Sequence, residues 1–380
     1  MGNAIVQSAT IQLKDQGGGV FGSVASSDGI TSVSGVRADG EVNTISGLGF
    51  GDNGPSSSMF ENFSGGTDGA EVTTLNSNFD EVNDFYRTKF TSDSRSGSLS
   101  GSMYQSKNQA PFDIAATINT VNFGAPGSGV VEYFTSFAIK VPSGSYFPGI
   151  GGGNAGNNSD YPNDSALKTN WMQGPDQFRN DMVSLSHVGN GHWLVTSNDL
   201  GTFIDAGTNP TWWKWGGWVK ISLWVKSGAD PRNDAGEVYL QITNGVDPIY
   251  EFTSTPVIFG AAGTTGDGLP PYEFNYDRTV GWIKPGVGGS DGAGAGVTVL
   301  FDDIYKSWGA NSAARVELGD ADTYAGCTDT ALCEVEDVNW SDGTIVFTAR
   351  EGGLNLSANT WVYVILPDNS TIYSFQWVTA

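Results

Sequence analysis

The sequence predicts an all-β protein, an antiparallel jelly-roll β-sandwich accompanied by a second, smaller β-sandwich, and three observations predict it. Glycine fills 53 of 380 positions while charged residues make up only 16%. Long amphipathic helices need charged outer faces and little Gly, because each interior Gly costs about 0.5–1 kcal/mol relative to Ala. Aromatic residues reach 12% and hydrophobic residues 38%, with 12 Trp, so there is ample apolar surface to bury and disorder is disfavoured. Short stretches of period-two alternation recur along the chain between turn-rich spacers, with a single short helical candidate. The length exceeds what one small sandwich needs, which favours two domains or one large domain with an appendage.

In chain order, residues 1–27 are small and polar, with one strand candidate at Ala9–Leu13 before Gly17-Gly18-Gly19. This is the texture of an N-terminal arm or docking segment. Ile30–Val36, a turn at Asp39-Gly40, and Val42–Ser46 running into Gly47-Leu48-Gly49-Phe50-Gly51 read as a hairpin. Met59–Phe63 opens a long run of short strands, and Asp80–Phe90 is the helical candidate. Within Val131–Val141, Tyr133, Thr135, Phe137 and Ile139 share one face, and Glu132, Phe134, Ser136, Ala138 and Lys140 the other. Residues 142–165 are rich in Pro, Gly, Asn and Ser, a loop of the length that carries function in compact domains. Strands resume at Met182–Leu185 and His192–Thr196. Trp218–Lys226 alternates most clearly, with Val219, Ile221, Leu223 and Val225 as its core face. Val238–Thr243 and Thr298–Lys306 complete the larger set. Beyond Trp308, strand patterns at Arg315–Leu318, Trp340–Thr348 and Trp361–Leu366 make a thin unit that would be marginal alone.

Acidic side chains number 41 against 18 basic ones, a net charge of −23. That balance, with no Lys/Arg cluster, excludes nucleic acid as a partner and repels an anionic membrane surface. No stretch approaches the roughly 18 apolar residues of a membrane span, so no membrane insertion is expected. The opening Met1-Gly2-Asn3-Ala4-Ile5-Val6-Gln7 lacks the basic and then apolar regions of a secretory signal. With an extracellular type of composition, either a signal was removed and a new Met added, or the protein leaves the cell another way. Assembly into a virus particle released by lysis is the simplest such way and places it at the virion surface. Cys327 and Cys333, separated by five residues, are a candidate disulfide closing a short loop. Two thiols and the distant His187 and His192 lack zinc-ligand spacing.

Two resemblances follow from particular residues. Thr44-Ile45-Ser46 running into Gly47–Gly51 resembles the opening half of an immunoglobulin-like IPT/TIG domain. Trp340–Thr348 with Val362–Leu366 and Thr371–Val378 resembles its closing half. The resemblance implies one interrupted domain, residues 28–56 and 312–380, with the jelly roll of 57–311 inserted. The insert resembles concanavalin A-like lectin/glucanase sandwiches in Phe60-Glu61-Asn62-Phe63, Gly217–Lys226 and Leu300-Phe301-Asp302-Asp303-Ile304-Tyr305.

Candidate site residues come from the second face of Trp218–Lys226. Trp218, Lys220 and Trp224, joined by Tyr239 and Gln241 if the strands are neighbours, combine stacking rings with hydrogen-bonding groups, which suits a glycan. Asp302 and Asp303 fall on opposite strand faces, so Asp302 with Glu61 or Asp68 could hold the structural Ca²⁺ that the resemblance implies. An enzyme reading is weaker. The glucanase pattern Glu-x-Asp-x-x-Glu is absent, and a lyase arrangement on Tyr239-Leu240-Gln241 has Thr243 where a His is wanted, leaving His187 or His192 to serve from another strand. The resulting expectation is a non-enzymatic bacteriophage fibre, decoration or tail-associated protein. It would bind a host-surface glycan, dock to other virion proteins through its N-terminal arm and form a homo-oligomer. A secreted polysaccharide lyase or glycoside hydrolase, or a bacterial adhesin, are the alternatives.

Overall fold

The computed structural model describes residues 28–72, 88–105, 115–122, 129–140, 142, 166–173, 182–188, 192–197, 202–208, 214, 216–227, 236–257, 276–284 and 297–378. The chain is all-β and its paired strands are antiparallel, forming a jelly-roll sandwich and a smaller immunoglobulin-like sandwich. Strands are numbered here in chain order.

The small sandwich has two four-stranded sheets. One contains β1 (Gly29–Gly35), β2 (Val42–Leu48), β20 (Thr344–Thr348) and β19 (Trp340–Ser341), in that order. The other runs β18 (Thr330–Leu332), β17 (Arg315–Gly319), β21 (Thr360–Ile365) and β22 (Ile372–Trp377). β2 pairs with β20 in the register Ile45↔Ile345, so segments nearly 300 residues apart in sequence are neighbours in one sheet. The turn after β2 is held to the turn before β20: Gly47 N donates to Gly343 O (3.0 Å), Phe50 N to Asp342 O (3.2 Å) and Trp340 Nε1 to Phe50 O (3.0 Å). Both sheets supply one core, in which Ile45, Phe50, Val316, Leu318, Trp340, Ile345, Phe347, Val362, Val364 and Trp377 are buried.

The larger sandwich has an eight-stranded and a six-stranded sheet. The eight-stranded sheet runs β14 (Tyr250–Val257), β13 (Gly236–Thr243), β12 (Trp218–Lys226), β7 (Glu132–Lys140), β16 (Val297–Trp308), β5 (Ser100–Gln105) and β4 (Lys89–Thr91). Its eighth strand, β3 (Ser57–Glu61), pairs with the second half of β16, while β5 pairs with the first half. The six-stranded sheet runs β11 (Thr202–Thr208), β10 (His192–Ser197), β9 (Met182–Val188), β8 (Ala166–Gln173), β15 (Tyr276–Lys284) and β6 (Ala115–Asn122). Val219, Ile221, Leu223 and Val225 are fully buried or nearly so. They pair with Ile139, Phe137, Thr135 and Tyr133 in register, a face apolar except at Thr135, whose burial at about 25 cal/mol per Å² of apolar surface drives the fold.

Of the expected helix Asp80–Phe90, residues 80–87 lie outside the described residues, and Lys89–Thr91 is strand instead, paired with β5. Residues 1–27 and 143–165 also lie outside the described residues.

Candidate functional site

The outer face of the eight-stranded sheet carries the residues that the sequence assigns to a glycan. The register brings them together as expected: Trp224 stands opposite Tyr239, Ser222 opposite Gln241 and Lys220 opposite Thr243. That face is not open, however. Lys220, Trp224, Tyr239 and Gln241 are all buried, and only Trp218, beside Lys140, is half-buried. The small sandwich lies on them. Phe60, Phe134, Trp224, Tyr239 and Tyr305 from the large sheet form one apolar cluster with Ala313 and Leu332.

Polar groups complete the seam. Lys220 Nζ pairs with Glu317 Oε2 at 2.8 Å and donates to Thr330 Oγ1 at 2.6 Å. Arg315 Nε pairs with Glu317 Oε1 at 2.6 Å, and the Arg315 guanidinium lies 4.7 Å from the Phe134 ring centroid. Gln241 Nε2 donates to the Tyr324 hydroxyl (2.6 Å), which in turn donates to Glu317 Oε1 (2.8 Å). Burial alone would raise the Glu317 carboxyl, yet the Lys220 ammonium and the Arg315 guanidinium together hold it well below the usual carboxylate range. A second group joins the loop after β4 to both sandwiches: Arg95 pairs with Asp303 (2.7 Å) and Asp329 (2.6 Å) and donates to Thr330 O. These contacts make Lys220, Trp224, Tyr239 and Gln241 parts of an internal joint, where rings and cations are used for packing and ion pairing.

The expected calcium ligands do not converge. Glu61 Oε1 accepts the Phe63 N–H at 2.5 Å, and the exposed Asp68 accepts the Ser92 N–H at 3.1 Å. Asp302 accepts backbone N–H groups from Arg95 (2.7 Å), Ser96 (3.1 Å) and Asp303 (2.9 Å). Asp302 and Asp303 do not diverge across the strand. The pairing of β16 with β7 shifts register between Asp302 and Tyr305, Asp303 adopts φ +47°, and both carboxylates meet residues 95 and 96. Burial, and then the neighbouring Asp303, push the Asp302 carboxyl well above its ordinary range, against the pull of those N–H groups. Among the described residues no group of three or more His, Cys, Asp or Glu is placed to hold a metal ion.

The two cysteines are free thiols rather than a disulfide. Cys333 belongs to the core between the two small sheets, with Val316 and Val364, whereas Cys327 packs with Tyr324, Tyr363 and Ile365. Alternate residues of β21 divide between these two clusters, so the thiols lie on opposite faces of one sheet, an arrangement in which the S–S geometry cannot be met. Burial pushes the Cys333 thiol up to about 12.

The lyase-type set is also divided. Tyr239 and Gln241 are on β13 in the eight-stranded sheet, while His187 and His192 are on β9 and β10 in the six-stranded sheet. Trp193, and not His192, stands opposite His187, so the two histidines fall on different faces.

Register sorts the residues of the six-stranded sheet onto two faces. One carries Leu167, Met172, Val183, Leu185, Val195 and Ile204, together with Asn170, His187 and Trp193. The other carries Lys168, Trp171, Gln173, Met182, Ser184, Ser186, Leu194, Thr196, Phe203 and Asp205, continued on β15 by Tyr276, Arg278, Trp282 and Lys284. Across β8 and β15 the partners are Gln173↔Tyr276, Trp171↔Arg278 and Lys168↔Trp282. The sequence reading did not single these residues out. The signal was present in Tyr276, Arg278, Val280, Trp282 and Lys284, which alternate with Asp277, Thr279, Gly281 and Ile283 over nine residues.

Among solved structures, the chain is similar to an endo-β-1,4-glucuronan lyase from Trichoderma reesei at 11% identity and TM-score 0.39, covering 67% of this chain and 96% of that one. It is similar to an alginate lyase from Aplysia kurodai at 9% identity and TM-score 0.38, covering 58% and 87%. It is similar also to lectin I from Ulex europaeus, solved with the methyl glycoside of α-L-fucose, at 11% identity and TM-score 0.35, covering 67% and 98%. No protein-family model matches the chain, and no curated protein matches its sequence. Likenesses this shallow leave the function to be read from the chain's own residues.

Proposed function

We propose that this chain is a non-enzymatic, carbohydrate-binding surface protein of a virion, a fibre, decoration or tail-associated component of a bacteriophage. The jelly roll of residues 57–311 meets a glycan on the host surface, and an IPT/TIG-like base of residues 28–56 and 312–380 carries it. The observation that supports this best is the unequal use of the two large sheets. The base occupies the outer face of the eight-stranded sheet through Glu317, Arg315, Tyr324 and Leu332. This reading assigns the glycan to the six-stranded sheet, where register places Trp171, Gln173, Ser184, Ser186, Tyr276 and Trp282 on one face. Aromatic rings stack on sugar faces while amides and hydroxyls exchange hydrogen bonds with sugar hydroxyls.

The net charge of −23 suits a soluble surface component, and residues 1–27 are the segment assigned to docking on other virion proteins. Two measurements separate the halves of this reading. A glycan array probed with the full chain should show binding to at least one carbohydrate class, and a blank array removes the carbohydrate half. Mass spectrometry of purified particles should find the chain, and its absence removes the virion half.

A further inference from the structure

We propose that β1 and β22 form the contact through which two copies of this chain associate, edge to edge and antiparallel about a two-fold axis normal to the sheets, with Asp28 of each copy meeting Arg37 of the other. The proposal goes beyond the carbohydrate reading and does not rest on it.

The edges of the small sandwich are unequal. In each of its sheets one terminal strand is short, β19 with two residues and β18 with three, and the other is long, β1 with seven and β22 with six. The long edges lie side by side: a Cβ on Gly29 would stand 3.7 Å from the Tyr373 ring, and Arg37 Nη1 donates to Trp377 O. Neither pairs with a further strand among the described residues. A sheet edge offers unpaired N–H and C=O groups to any extended chain, and soluble proteins guard it with Lys, Pro, charge or shortness. Gly29–Gly35 and Ile372–Trp377 contain no charged residue and no Pro. The irregularity in β1, between Ile30 and Ser32, leaves Ser32–Gly35 in regular register, with Ser32, Ser34 and Gly35 exposed.

Between these edges the core reaches the surface. Ile30, Val33 and Tyr373 pack against it while only half-buried, and Phe375 is half-buried too. Val36 and Val378, just past the strand ends that Arg37 ties together, are 59% and 64% exposed. Covering this stripe removes apolar surface from water.

Charge selects a second copy as the occupant. Asp28 immediately precedes β1 and Arg37 follows it, and neither has an ion-pair partner among the described residues. An antiparallel contact of β1 with its own copy reverses the strand, so the Asp28 end of each protomer lies beside the Arg37 end of the other, and one symmetric contact makes two ion pairs. The same axis sets β22 against β22. Two chains of net charge −23 repel over most of their surfaces, and an uncharged wall is where they can approach. Seven residues span about 23 Å at roughly 3.3 Å each, and stacked sheets stand about 10 Å apart. That is a contact below the roughly 800 Å² per partner of a standard interface, so the dimer is a weak one.

Sedimentation velocity of the full chain from about 5 to 500 µM should show a monomer–dimer equilibrium within that range. Arg37→Glu sets an acid against Asp28 and should weaken dimerisation by about 10-fold or more. Asp28→Lys should do the same, and the exchange Asp28→Lys/Arg37→Glu should restore the dimer. Ser34→Lys, on the exposed part of the edge, should weaken it by like-charge repulsion across the axis. Should Arg37→Glu fail to fold through loss of the bond to Trp377 O, Asp28→Lys and Ser34→Lys still decide. A monomer at every concentration overturns the proposal, and a trimer or an open chain overturns the two-fold contact. A dimer indifferent to the single variants, or weakened by them and not restored by the exchange, overturns the assignment to these edges.

Discussion

Glu317→Gln is the sharpest test of how the two sandwiches are joined. Glu317 is fully buried and its two oxygens serve three partners: Lys220 at 2.8 Å, Arg315 at 2.6 Å and the Tyr324 hydroxyl at 2.8 Å. Lys220 and Arg315 are themselves 3% and 1% exposed at their side chains, so neither cation recovers hydration when the carboxylate becomes an amide. Removing one member of a buried ion pair costs about 3–5 kcal/mol because the remaining charge is left uncompensated. Here two cations lose one shared anion, which places the loss in that range.

Urea unfolding at pH 7, followed by tryptophan fluorescence, should report it as a fall in the midpoint. Lys220→Met alone leaves Glu317 with Arg315 and Tyr324, and the double variant removes one of the two stranded cations. The double variant should therefore be less destabilised than the sum of the singles, with a coupling of about 1–3 kcal/mol. A loss under about 1 kcal/mol for Glu317→Gln, together with additivity in the double variant, would refute the reasoning. The joint would then be held by the apolar seam of Phe134, Trp224, Tyr239 and Leu332 alone.

The same carboxyl sets a pH dependence. Its folded pKa is depressed, so its contribution is complete above the unfolded value of about 4.3 and is lost as pH falls toward the folded value. Between pH 4 and pH 2 the unaltered chain should lose stability more steeply than Glu317→Gln, by up to about 1.4 kcal/mol per pH unit. Gly47→Ala should destabilise by about 1–3 kcal/mol in the same unfolding assay, because a Cβ there would lie 2.2 Å from Gly29 O and 2.3 Å from the Phe50 ring. An unchanged midpoint would mean that β1 yields without cost. Thiol titration should find no fast-reacting group in the native protein and two in denaturant, with or without prior reduction, since Cys327 and Cys333 are buried and free. No thiol in denaturant before reduction, and two after it, would restore the disulfide.

Several strands were legible from alternation alone. Trp218–Lys226 and Val238–Thr243 form paired strands whose core faces are those read from the sequence, because a period of two with β-branched residues on one side has few other solutions. The neighbours Trp224 and Tyr239 were legible for the same reason. Their burial was not. A strand with apolar residues on one face and Trp, Lys, Tyr and Gln on the other reads as half-open, and only a second sheet lying on it turns those residues into a joint. The disulfide failed for a related reason: five intervening residues permit closure, but the faces on which Cys327 and Cys333 fall depend on the strand between them. At Asp302-Asp303, a register shift cancelled the alternation that would have sent the two carboxylates apart.

The sequence by itself determined the all-β class, the core faces of the central strands and an acidic chain without helical bundles, since composition and period constrain these locally. The tertiary structure decided which face is covered, which cations are consumed in ion pairs and which strands stand side by side. Those are contacts between residues as distant as Lys220 and Glu317, or Ile45 and Ile345. A linear pattern carries no record of such contacts, because each segment would alternate in the same way whether its second face met water, a ligand or another sheet.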